Sequence, residues 1–120
     1  MLPMAMQRDF EPDPQSARMV RRFVEETIQR GPSLDDVVLA ASELASNVIR
    51  HAKTPFTVRL STDDDVIRLE VSDGSSIMPA IEDLAESFRG LRMIESVSED
   101  WGVETTASGK TIWVEFTNTP

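Results

Sequence analysis

The sequence predicts a two-layer α+β sandwich, with helices on one face of a mixed, mostly antiparallel sheet. Two observations carry this. Between residues 14 and 52 the apolar side chains recur in three- and four-residue steps, the spacing that gathers them on one face of a helix. From residue 56 the period drops to two, and the alternating runs come in pairs joined by short polar turns, which is how hairpins read.

The chain opens with a thin strand pattern at Met6 to Phe10, which suits a short edge strand. Asp13-Pro14 then offers an N-cap followed by the residue best tolerated at the first helical position. Val20, Phe23, Val24, Thr27 and Ile28 form the inner face of that helix, and Gly31-Pro32 ends it. Arg18, Arg21 and Arg22 fall away from the inner face, either as a solvated basic face within helical reach of Glu25 and Glu26 or as a surface for docking protein.

A second helix over 33 to 52 is the centre of the chain. Leu34, Val37, Val38, Ala41, Leu44, Ala45, Val48 and Ile49 make its stripe, and Ser33 is placed to cap it with Asp36 as reciprocal partner. Glu43 and Asn47 stand one turn apart on the polar side. On spacing alone they are what any solvated helix face displays.

Phe56, Val58 and Leu60 alternate with polar residues up to the acidic turn Asp63-Asp64-Asp65, which lacks the glycine and terminal Glu of a calcium loop. The next strand, from Val66 to Val71, runs into Ser72-Asp73-Gly74, so that Asp73 sits at a strand end, a common position for ligand contacts. Leu91, Ile94 and Val97 predict a short helix starting at Gly90, either as a purely structural turn and helix or as free amides offered to phosphate oxygens with the help of Arg89 or Arg92. Trp101, Val103 and Thr105, the turn Ala107-Ser108-Gly109-Lys110, and Ile112, Val114 and Phe116 form a closing hairpin.

Composition narrows the classes of function. At 120 residues and 40% apolar content, one compact domain is expected over 1–120. No apolar run approaches the ~18 residues needed to span a bilayer, and MLPMAM has neither the cationic flank nor the length of a signal peptide, so the reading expects a cytoplasmic protein without membrane contact. The absence of cysteine excludes disulfides and thiol catalysis, and the single His argues against a multi-histidine metal site. A net charge of -9 with two lysines opposes binding to nucleic-acid backbones, and it requires any nucleotide site to work with a cation.

Ser-Glu-Leu-Ala-Ser-Asn-Val-Ile-Arg-His-Ala at 42 to 52 resembles the helix motif of the GHKL-type ATPases, in the branch of the bacterial anti-sigma-factor serine/threonine kinases. Trp101-Gly102-Val103 with Gly109-Lys110-Thr111-Ile112-Trp113 is similar to the ending of that branch, and the likeness runs from Asp13 to Phe116. The resemblance implies the Bergerat ATP-binding fold, with nucleotide between the central helix and the sheet, under residues 75 to 89. It implies Glu43 as general base, Asn47 as the residue holding Mg2+, Asp73 as acceptor for the adenine amino group, and Thr111 as its assistant. Gly74, Arg89, Gly90 and Leu91 complete the nucleotide-binding set by the same resemblance.

The sequence departs from the family pattern at its glycines. Ser75 and Ile77 occupy the glycine positions of the Asp-x-Gly-x-Gly motif, and Phe88-Arg89-Gly90-Leu91 keeps one glycine of a pair. The expected function is an ATP- and Mg2+-dependent protein serine/threonine kinase acting on a small anti-sigma antagonist and binding a sigma factor, with homodimerisation compatible. The alternative is a catalytically inactive protein-binding module of the same fold.

Overall fold

The computed structural model describes residues 4–28, 31, 33–75, 92 and 94–117. Five strands form one open sheet: β1 (Met4–Phe10), β2 (Phe56–Asp63), β3 (Val66–Asp73), β4 (Asp100–Thr106) and β5 (Gly109–Thr117), in spatial order β1-β2-β3-β5-β4. Two helices, α1 (Pro14–Ile28) and α2 (Leu34–Asn47), pack on one face, and α2 continues into a widened turn over Val48–Ala52.

Each element forms for a local reason. Asp13 Oδ1 accepts the Gln15 amide at 3.1 Å, the N-cap bond that the Asp-Pro pair announces. In α1 the buried apolar residues are Val20, Phe23 and Val24, and in α2 Val37, Ala40, Ala41, Leu44 and Ala45. Their cover is the inner face of the sheet: Phe56, Val58 and Leu60 from β2, Ile67, Leu69 and Val71 from β3, Val114 and Phe116 from β5. Phe10 stacks on Phe56 at 5.5 Å and meets Phe23 edge-on at 6.2 Å, which ties the edge strand to both layers. Ile94 is buried in the same core, within the helical residues 94–97.

The outer face carries a charged ladder. Arg59 meets Glu70 at 3.2 Å, and Arg68 meets Glu70 at 3.3 Å and Glu115 at 2.9 Å, with its guanidinium 4.5 Å from the Trp113 ring centre. Partial burial works against the Arg68 charge, but the hydrogen bonds to Glu115 and Glu70 outweigh it and hold the group above the ordinary arginine value. The Trp113 ring covers Gly102 on β4, where a Cβ would come within 2.7 Å of it.

Four expectations change. The sheet was expected to be mixed, yet all four strand pairings among the described residues are antiparallel. β3 and β4 do run the same way, but β5 folds back between them, so no parallel pair forms. Ser33 does not cap α2: its backbone is helical at φ -92°, ψ 0°, and its hydroxyl donates instead to the Thr117 carbonyl at 2.6 Å. β1 is longer than the sequence pattern suggests, because ladder pairing with β2 continues out to Met4↔Thr62. The exposed Arg18, Arg21 and Arg22 form no ion pair with Glu25 or Glu26 among the described residues.

Candidate functional site

Glu43 and Asn47 lie on α2 beside its buried stripe, each half-exposed rather than fully solvated. No described residue bonds the Glu43 carboxylate. The Asn47 amide oxygen accepts from Arg50 at 3.3 Å, a long bond from an exposed side chain. Immediately after Asn47 the helix widens: the Lys53 amide reaches the Val48 carbonyl at 2.8 Å, and Lys53 turns left-handed at φ 56°. Single π-type turns of this kind recur at functional sites, because they push side chains out of the regular helical phase. Nothing in the 3.6-residue pattern of the sequence marks it.

The widened turn delivers Thr54 to the end of β3. Its hydroxyl oxygen accepts the Gly74 amide at 2.9 Å, so the loop after the Asn47 helix is fastened to the loop after Asp73. Phe56 pairs with Asp73 across β2 and β3, which fixes the same two chain segments at backbone level.

Asp73 is 8% exposed. A carboxylate at that depth needs donors, and it has them: the Ser75 amide at 2.8 Å on Oδ1, and the Lys110 ammonium at 3.1 Å from Oδ1 and 3.0 Å from Oδ2. Lys110 also donates to the Ser75 carbonyl at 3.1 Å. Gly109 makes this approach feasible. It adopts φ +154°, and a Cβ there would overlap the Asp73 carbonyl oxygen.

The register decides which β5 residue faces Asp73. Asp73 pairs with Lys110, and Ser72 pairs with Thr111. Successive side chains of a strand point to opposite faces, so Lys110 joins Ile112, Val114 and Phe116 on the helix side while Thr111 joins Trp113 and Glu115 outside. The Thr111 hydroxyl accordingly shares a 2.7 Å hydrogen bond with that of Ser72. The role beside the Asp73 carboxylate that the resemblance gives to Thr111 is filled geometrically by Lys110. Sequence reasoning missed Lys110, although the parity of Ile112, Val114 and Phe116 already turned it inward.

The sequence profile of the histidine kinase-like ATPase domain matches residues 10–116. The chain belongs to that family. No curated protein sequence matches this histidine kinase-like ATPase domain. Among solved structures it is similar to the RsbU and RsbW domains of Rv1364c from Mycobacterium tuberculosis, with a TM-score of 0.75 at 20% identity. The match covers 95% of this chain and 32% of that one, and at this identity it establishes the shared fold.

Arg89, Gly90 and Leu91 lie outside the described residues, as does most of the 75 to 89 segment. Domains of this family bind ATP, generally with Mg2+. The Asn47 amide offers such an ion a neutral oxygen, and because Mg2+ keeps waters and substrate phosphates as its other ligands, one protein oxygen fits it without a carboxylate cluster. Among the described residues no group of three acidic or histidine side chains is gathered for a metal, and no helix is long and apolar enough to cross a membrane.

Proposed function

We propose that residues 1–120 form one domain that acts as a cytoplasmic ATP-dependent protein serine/threonine kinase of the anti-sigma type, which phosphorylates a serine on a small antagonist protein and binds a sigma factor. The observation that carries the reading is that a short stretch of chain ties the end of the helix bearing Glu43 and Asn47 to the strand end bearing Asp73. Glu43 and Asn47 stand a turn apart on the helix, and Thr54, seven residues after Asn47, is bonded to the amide that follows the buried Asp73.

Each residue has a task suited to its chemistry. The Asp73 carboxylate, fixed by the Ser75 amide and by Lys110, accepts the amino group of adenine on the oxygen with spare capacity. Asn47 would hold Mg2+, which when bound offsets phosphate charge. Glu43 accepts the proton of the attacking serine hydroxyl as the new oxygen–phosphorus bond forms and the bond from the γ-phosphorus to ADP breaks. Its carboxylate is free of other partners among the described residues, so it is available for that proton.

A second reading keeps the fold and the partner surface without turnover. The ion pair that engages Asp73 and the serine in place of a motif glycine at 75 favour it. Transfer of labelled phosphate from ATP to an antagonist separates the two. With Glu43→Ala the kinase reading expects nucleotide affinity within a few fold of the parent and a loss of about 10²–10⁴ in transfer rate. Equal transfer by parent and variant removes Glu43 from the mechanism, and no transfer by the parent, with ATP still bound, leaves the binding module.

A further inference from the structure

Lys110 is a buried cation that falls within the similar closing stretch but to which the resemblance gives no role. Its side chain is 10% exposed and that of Asp73 2%, and its ammonium donates to Asp73 Oδ1 and the Ser75 carbonyl while lying 3.0 Å from Asp73 Oδ2. Because Oδ1 also takes the Ser75 amide, Oδ2 is the oxygen with acceptor capacity to spare. The strand end therefore displays a hydrogen-bond acceptor and a cationic donor 3.0 Å apart.

The two purine classes differ at this edge. Adenine presents a 6-amino donor, whereas guanine and hypoxanthine present a 6-oxo acceptor beside a donating N1–H. A lone carboxylate accepts the amino group and repels the oxo group. A carboxylate joined to an ammonium meets either: Oδ2 takes the amino group of adenine, or it takes N1–H while Lys110 exchanges the Ser75 carbonyl for the 6-oxo oxygen. That exchange is local, since Ser75 is half-buried in the loop next to exposed Gly74.

We infer that Lys110 sets the base selectivity of the nucleotide site, making it accept 6-oxo purine triphosphates as well as ATP. The inference rests on the nucleotide-binding reading above and adds a specificity determinant to it.

The test is a calorimetric titration of the full chain with the magnesium salts of ATP, GTP, inosine triphosphate and the triphosphate of unsubstituted purine riboside, repeated on Lys110→Met with its melting curve recorded. For the parent, ATP, GTP and inosine triphosphate are expected within about tenfold of each other, and each about tenfold or more tighter than the unsubstituted purine. In Lys110→Met the ratio of ATP to GTP affinity is expected to rise by about 10- to 150-fold, the range for losing a charged hydrogen bond. Should that variant fail to fold, the four-nucleotide series on the parent decides alone. A parent that binds ATP but not GTP or inosine triphosphate overturns the inference and leaves the nucleotide site standing. A Lys110→Met protein that loses all nucleotides equally reduces Lys110 to a structural prop and overturns it too. A parent that binds none of the four removes both readings.

Discussion

Asp73 and Gly109 show how closely the site depends on single residues. The carboxylate is held by two donors, Lys110 from β5 and the Ser75 amide from the loop after β3, and Lys110 reaches it where the neighbouring backbone at Gly109 passes against the Asp73 carbonyl. Gly109→Ala introduces both a forbidden φ and an overlap with backbone, so it is expected to destabilise by at least about 1–3 kcal/mol and to weaken nucleotide binding with it. Thermal melting read against the parent checks this, and an unchanged midpoint contradicts the described close approach. Asn47→Ala is milder for the fold, since the amide is half-exposed and bonded only loosely to Arg50. It is expected to abolish the magnesium-dependent part of nucleotide binding and leave the melting temperature near the parent value. At this scale the sequence was partly legible. Asp73 stood out by its strand-end position, whereas Glu43 and Asn47 were singled out only by the motif resemblance over 42 to 52, since their one-turn spacing is that of any solvated helix face. Thr111 was misplaced because a motif match ignores strand parity, and one residue along a strand moves a side chain to the other face.

Among the elements, the two hairpins and both long helices were readable because their patterns are local: alternation on either side of a short polar turn, and an apolar stripe at helical spacing. What was not readable is long-range. The neighbour of β3 is β5 rather than β4, a choice made by the return of the last hairpin across the sheet, and that choice brings Lys110 to Asp73. Ser33 gives the same lesson. Its sequence context announces a helix cap, yet its hydroxyl serves as a tertiary tie from the start of α2 to the end of β5. Ser33→Ala is therefore expected to cost about 0.5–1.5 kcal/mol through the lost bond to the Thr117 carbonyl. Ser33→Asp, a good cap that donates nothing, is expected not to restore it. Chemical denaturation of the three proteins distinguishes the cases, because full rescue by Asp would return Ser33 to a capping role. The widened turn after Asn47 had no sequence signature at all, as it replaces one hydrogen-bond spacing by another without changing the apolar stripe.

For the molecule as a whole, the net charge of -9 repels a free nucleotide, and among the described residues no basic side chain pairs with the Glu43 carboxylate while the inward lysine is paired with an acid. On the proposed function, binding rests on specific donors and acceptors at the junction of α2, its widened turn and the end of β3, with Mg2+ to offset the phosphates. The two-layer fold supplies that junction by packing α2 on the inner sheet face and fastening Thr54 to Gly74. Calorimetric titration of ATP, with and without magnesium, into the parent and Asp73→Asn tests this most directly. The amide retains one oxygen for Lys110 and so limits damage to the strand end. The account predicts saturable, magnesium-dependent binding to the parent that Asp73→Asn weakens by about 10- to 150-fold, the equivalent of one charge-assisted hydrogen bond. Binding of ATP with the same affinity by the parent and a folded Asp73→Asn protein, or no binding by the parent, would contradict it.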